Sequence, residues 1–220
     1  SNLLNIKAST RFFPLFERIL QEEGVPLDFK YLAVAESNLR NVKSSAGACG
    51  VWQFMKANGA HYNMEINKDI DERYHIEKAT RAACNLLKDL KKRFGTLTMA
   101  AGAYNFGSTR IAKEIESQRA ESYFDLNLNE ETSRYIFRII AIREVMENPQ
   151  DFGFYLEKKD YYKPLDDCKI VEVNNSIPNL GDFAIKNGTT YRMLKVYNPW
   201  LRTGKLANSN GKTYEIKIPE

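Results

Sequence analysis

Glu36 is an acid in an apolar setting. From Phe29 to Ala35 the chain is apolar except for Lys30. Glu36 comes next, then a polar loop, then a glycine-punctuated run that ends in Trp52, Gln53 and Phe54. Phe29, Leu32, Ala33 and Glu36 recur at helical spacing, so the carboxylate shares a face with apolar neighbours. With Val34 and Ala35 leaving little polar surface, this helix, which begins near Pro26 or Asp28, is predicted to be buried nearly all round. Burial disfavours the ionised carboxylate and raises its pKa, which suits a general acid near neutral pH. Glycosidic cleavage is the reaction class for which such an acid is the central requirement, because the leaving sugar oxygen must be protonated. Gly47 and Gly50 let the next turn run close to a ligand or a helix. Gln53 and Asn105 can donate and accept at once, as sugar hydroxyls and acetamido groups require. On spacing alone a structural role stays open for Glu36, since a helix-end acid can also be held by an arginine or by backbone amides.

The elements that must position these residues read as helices over the first two-thirds of the chain. Arg11 to Glu22 carries Phe12, Leu15, Phe16, Ile19 and Leu20 on one face, and Gly24 with Pro26 ends it. Ile76, Ala79, Ala83, Leu87, Leu90 and Phe94 form an amphipathic stripe stopped by Gly95, with a solvated charged face opposite. A short helix runs from about Leu97 to Gly107, its small residues permitting close packing. Asn129 caps a long helix bearing Tyr135, Ile139, Ile142 and Met146, closed by Asn148-Pro149. No strand alternation of any length precedes residue 150. The fold class is therefore mainly α, with an all-helical domain over 1–150.

After Pro149 the texture changes. Residues 151–167 are aromatic and charged without a period and read as a linker that packs on the helices. Residues 168–220 give a short alternating strand, "KIVEV", two short helical pieces and a second strand, "TYEIKIP". That is a small α+β module of β-α-α-β order, near the size at which a core becomes marginal.

The bulk properties exclude several classes. The 220 residues carry 32 Lys+Arg against 28 Asp+Glu, a net charge of +4, spread along the chain rather than gathered in a basic block. No nucleic-acid partner is expected. No apolar run approaches the ~20 residues of a membrane span, and no signal peptide is expected in the chain as it stands. Three cysteines and two histidines without CxxC or HExxH spacing imply neither a disulfide scaffold nor a metal site. No cofactor is implied. Cys49 and Cys84 are read as small buried hydrophobes, with pairing open in an oxidising compartment.

Four ordered blocks, Glu36-Ser37, "SSAGACGVWQFM", "AGAYNFG" and "ETSRYIFRI", resemble the catalytic domain of the soluble-type, goose-lysozyme-like lytic transglycosylases, in particular the membrane-bound D type. They span roughly Pro26 to Arg143, and four in order are far more specific than any one. Two departures stand out: the serine falls one position early, so that Ser44 is the match and Ser45 its rival, and Cys49 replaces a small residue. The resemblance implies a lysozyme-like fold and cleavage of the MurNAc-β-1,4-GlcNAc bond of peptidoglycan strands. It makes Glu36 the single catalytic acid/base, protonating the glycosidic oxygen and then taking the proton of the C6 hydroxyl of MurNAc as a 1,6-anhydro ring closes. It implies that Ser44 and Gln53 orient substrate, Met55 lines the groove, Tyr104 brings its hydroxyl near the carboxylate and Asn105 contacts substrate. Glu131 and Tyr135 become supporting residues. For Met55 and Tyr135 a plain core role remains open, and for Glu131 a helix-dipole role. The tail resembles a divergent LysM module, which implies glycan binding, although Asn175-Ser176-Ile177 stands where Gly-Asp-Thr is usual. A structural tail docked on the helices is the other reading. If the module is an anchor, a chain cut before about Pro164 keeps its activity on short soluble glycans. The family further implies export to the periplasm or outer membrane of a Gram-negative bacterium, membrane contact only through a lipid anchor outside this chain, and a monomer. A water-using muramidase and a non-catalytic wall-binding protein are the alternatives.

Overall fold

The structure, a computed structural model, describes residues 2–220, so Ser1 lies outside it. Among the described residues eight α-helices precede the C-terminal module: α1 (Asn2–Glu22), α2 (Lys30–Ser37), α3 (Lys56–His61), α4 (Ile76–Phe94), α5 (Leu97–Phe106), α6 (Ser108–Gln118), α7 (Glu130–Ser133) and α8 (Tyr135–Glu147). α2 is the central one. Tyr31, Leu32, Ala33, Val34 and Ala35 are all buried, packed between α1 and α8. Phe16, Ile19 and Leu20 of α1, Ala79, Ala83 and Leu87 of α4, and the loop residues Trp52 and Phe54 complete this core. A second core lies between α4, α5 and α6, where Leu90, Met99, Ala103 and Ile111 meet Tyr123 and Leu126.

Four helical features differ from the sequence reading, the first being α3, which the short run Lys56–His61 did not signal. α1 begins at Asn2 rather than Arg11 and passes through Pro14, whose ring faces solvent. Its first turns carry only a weak apolar pattern, but Asn5, Ile6 and Ala8 are buried by tertiary packing. α6 has only Ile111 fully buried, too thin a stripe to stand out in the sequence. The long helix after Asn129 is two helices joined at Arg134. The Thr132 carbonyl, which would accept from the next turn, receives the Tyr123 hydroxyl instead.

After a 3₁₀ turn at Pro149–Phe152 that leads out of α8, residues 151–167 hold a second at Lys158–Asp160 and lie on α1. The Tyr162 amide donates to the Lys7 carbonyl at 2.9 Å, and the Thr10 hydroxyl to the Tyr162 carbonyl at 2.7 Å. Beyond them β1 (Cys168–Val173) pairs antiparallel with β2 (Tyr214–Pro219), with α9 (Leu180–Lys186) and α10 (Tyr191–Tyr197) between. Tyr214, Ile216 and Ile218 alternate inward from β2. Their core also takes in Cys49, Ile70 and Tyr74 from the helical part. The two parts share one apolar cluster.

Candidate active site

Glu36 occupies the last turn of α2, and the residues directly after it are tightly held. Ser37 is buried, with its hydroxyl 3.0 Å from the Ala33 carbonyl and 2.8 Å from that of Val51. Asn38 and Leu39 are both left-handed, at φ 53° and 54°, a conformation that costs non-glycine residues energy and persists only where the surroundings impose it. Asn5 helps to impose it: its amide donates to the Asn38 side chain at 3.1 Å. The first half of α1, unforeseen in the sequence, thus fixes the end of the helix that carries the acid.

The run from Ser44 to Met55 folds back as a tight ladder. Cys49 and Phe54 exchange backbone hydrogen bonds of 3.0 Å each, and the Ser44 hydroxyl accepts from the Ala48 amide at 3.1 Å. Gly50, at φ 84°, is required for contact as well as conformation. A Cβ there would stand 1.9 Å from the Arg73 carbonyl oxygen. The close approach is therefore to the backbone of a short 3₁₀ helix, Glu72–Tyr74, in the 65–75 segment. Gln53 is left-handed at φ 52°, and its amide nitrogen donates to the Gly50 carbonyl at 2.8 Å. That leaves its carbonyl oxygen as the group available to a ligand.

These pieces enclose an open cleft of about 290 Å³ whose walls include Glu36, Ser44, Gln53, Met55, Tyr104, Asn105 and Glu131. Ser44 reaches it, and its rival Ser45 is not on the wall. Met55 is 44% exposed, so it is a wall residue and not core. Asn58 and Leu86 also contribute. Neither stood out in the sequence, because a surface asparagine in "KANGAH" and a leucine beside the α4 stripe carry no distinctive spacing. Asn105 accepts from the Thr132 hydroxyl at 3.1 Å. Thr132, 1% exposed, is the site-building residue that sequence reasoning missed, although it stands inside the "ETSRY" block.

Both tyrosines lie close to the acid, and Tyr135, expected only as a supporting residue, is the one that hydrogen-bonds it. Tyr104's hydroxyl donates to the Trp52 carbonyl at 2.7 Å, tying α5 to the ladder. Tyr135, buried at the start of α8, donates its hydroxyl to Glu36 Oε1 at 2.5 Å. Burial pushes the Glu36 carboxyl above the usual range, against the Tyr135 hydrogen bond and the charge of Arg138, and the Glu131 charge adds to the rise. Burial and the nearby Glu36 charge likewise hold both tyrosines well above the ordinary phenol range. Both are therefore neutral donors at any working pH. The arrangement can deliver a proton from a desolvated carboxyl and receive one back, beside amides and a hydroxyl suited to polar ligand groups.

Comparison with known proteins places these residues in context. The family model described as "Transglycosylase SLT domain" matches residues 14–127, and that of the "Soluble lytic transglycosylase C-terminal LysM-like domain" matches residues 169–220. The chain is 26% identical over 208 residues to the membrane-bound lytic murein transglycosylase D of Escherichia coli K12, covering 91% of this chain and 44% of that protein. It is 28% identical over 100 residues to a putative tributyltin chloride resistance protein of an Alteromonas strain, covering 44% and 48% of the two chains. In structure it is similar to an inactive mutant of the lytic transglycosylase Slt from Pseudomonas aeruginosa. That likeness has a TM-score of 0.51 at 15% identity, over 69% of this chain and 26% of the other. The chain spans less than half the length of the curated relatives it matches.

Proposed function

The chain belongs to the SLT transglycosylase family, and we propose that it is a peptidoglycan lytic transglycosylase in which Glu36 is the acid/base. One observation carries the reading: a desolvated carboxyl, hydrogen-bonded by a buried tyrosine, on the wall of an open cleft. Protonated Glu36 gives its proton to the oxygen bridging MurNAc and GlcNAc, and the bond from that oxygen to MurNAc C1 breaks. The GlcNAc side leaves as an alcohol. The C6 hydroxyl of the same MurNAc then attacks C1, and the Glu36 carboxylate takes its proton, restoring the acid as the 1,6-anhydro ring closes. No water enters. Because the nucleophile is intramolecular, no second carboxylate is required, and well-oriented attack of this kind reaches effective molarities of about 10⁵ M or more. The Tyr135 hydroxyl steadies the carboxylate midway, opposing the burial that favours the acid, so Glu36 can alternate between its two forms.

Ser44, Gln53 and Asn105 orient the sugar hydroxyl and acetamido groups, and Met55 offers an apolar wall. Tyr104 positions the Trp52 carbonyl strand, and Glu131 supports protonation of Glu36. Residues 1–150 form the catalytic part, 151–167 the linker and 168–220 the LysM-like module. The setting is the murein of a Gram-negative envelope, reached after export. Among the described residues no helix is long and apolar enough to cross a membrane.

Glu131 is also the observation that favours a second reading. A second carboxylate on the wall is what a hydrolytic muramidase needs to activate water. Digestion of purified peptidoglycan followed by mass spectrometry separates the two. Anhydro ends, one water lighter, support transglycosylation, whereas reducing ends mean a muramidase and an uncut wall means a binding protein.

A further inference from the structure

We propose that Asp69, Asp71 and Arg73 are positioning residues of the cleft, forming a strut through which the C-terminal module fixes the Ser44–Met55 ladder. The inference rests on the reading of that ladder as a wall of the sugar site.

The 65–75 segment is gripped from the module side. The Asp71 amide donates to the Trp200 carbonyl at 2.9 Å, and the Arg202 amide to the Asp69 carbonyl at 2.7 Å. The Thr203 hydroxyl donates to the Asp69 carboxylate at 2.7 Å. The Arg202 guanidinium lies 3.9 Å from the centre of the Tyr74 ring. Between these contacts Ile70, fully buried, pairs with Leu201.

On its other side the same segment grips the ladder. The Asp71 carboxylate receives Arg73 Nε at 2.9 Å and Nη2 at 2.7 Å, a two-pronged and largely buried ion pair. The remaining Nη1 donates to the carbonyls of Gly47 and Phe54, each at 3.2 Å. A buried guanidinium is tolerable only with its charge neutralised and its donors satisfied, and here those demands fix two points of the ladder at once. Phe54 stands between Gln53 and Met55, so moving its carbonyl moves both cleft residues. Lysine has no planar fork with which to make these contacts together. The path runs from module backbone to Asp69–Asp71, to Arg73, to the ladder.

The test uses the full chain with Arg202→Gln/Thr203→Val, two module residues outside every core and far from the cleft in sequence. Hydrogen exchange at the Cys49 and Phe54 amides is expected to quicken by about ten-fold, with the interior of α4 unchanged, because local openings are decided by local contacts. On a short soluble glycan kcat falls several-fold with KM nearly constant. Arg202→Lys/Thr203→Ser, which keeps the cation and the hydroxyl, restores parent values in both measurements. Unchanged exchange in the ladder, exchange that quickens throughout the chain, or a loosened ladder with parental kcat each overturns the strut. A parent protein that leaves peptidoglycan uncut defeats the transglycosylase reading instead, and the exchange comparison alone then decides the strut.

Discussion

Glu36 is held in two ways that pull against each other, and its behaviour depends on their balance. Glu36→Gln keeps shape and hydrogen-bonding capacity but has no transferable proton, so turnover is expected to drop by ~10²–10⁴-fold or more. A turbidity assay on purified walls measures this, and near-normal lysis removes Glu36 from the mechanism. The same site makes the parent's stability pH-dependent. Because the folded state binds the Glu36 proton more tightly than the unfolded state does, that stabilisation is complete below the unfolded pKa and is lost as pH rises through the folded pKa. The glutamine variant escapes the loss. It should melt with the parent below about pH 4 and above it at neutral pH, and a lower melting point there would mean that Glu36 is a structural partner. Neighbouring charges extend the argument. Glu131 raises the Glu36 pKa and Arg138 lowers it. The alkaline limb of the kcat/KM profile, where the acid loses its proton, is therefore expected to move to lower pH in Glu131→Gln and to higher pH in Arg138→Gln. Shifts in the same direction for both variants would contradict this electrostatic account.

At the level of elements, the ladder from Ser44 to Met55 is the most constrained piece of the site. Gly50→Ala brings a methyl group into the Arg73 carbonyl at a φ that L residues avoid. Neither the 65–75 segment nor the ladder can yield, since each is pinned on both sides. The expected cost is at least about 3 kcal/mol, or roughly 10 °C in Tm for a chain of this size. Gly47, also at positive φ but with open space around it, should cost only the conformational strain of about 1–2 kcal/mol on the same substitution. Thermal melts of the two variants check the order. Equal effects would mean that the Gly50 contact relaxes.

The molecule as a whole unites a helical body and a small module around Cys49, Ile70 and Tyr74. A module of some 50 residues has little core of its own, and this one completes its core with side chains of its neighbour. One cooperative unfolding transition is therefore expected, with calorimetric and van't Hoff enthalpies agreeing. Two separated transitions would show independent units. For the same reason a chain cut before Pro164 should lose activity on short glycans as well as on intact sacculi. Exposing Ile70, Tyr74 and Cys49, at about 25 cal/mol per Å² of apolar surface, forfeits several kcal/mol out of a total stability of only about 5–15 kcal/mol. Activity retained on soluble glycans alone would return the module to the role of an anchor.

What the sequence by itself determined is what repeats locally. The α4 stripe, the buried α2 with an acid on its apolar face, and the alternation of β2 each arise from residues within a few positions of one another, where period alone decides which side chains share a face. The order of four short blocks brought Glu36, Gln53, Tyr104 and Asn105 together as candidates before any distance was known. Only the tertiary structure decided which tyrosine meets the acid. Tyr104 and Tyr135 are alike in chemistry, and 99 positions separate Tyr135 from Glu36. It also decided that the Thr132 carbonyl, taken by Tyr123, divides the last long helix, and that α1 starts at Asn2 to brace Asn38. Gly50 was readable as a tight spot, but not that Arg73 fills it. Nor did any spacing in the chain connect Thr203 to Phe54. Such contacts join segments with no common period, so they are set by how the elements pack and leave no mark on the pattern of any one of them.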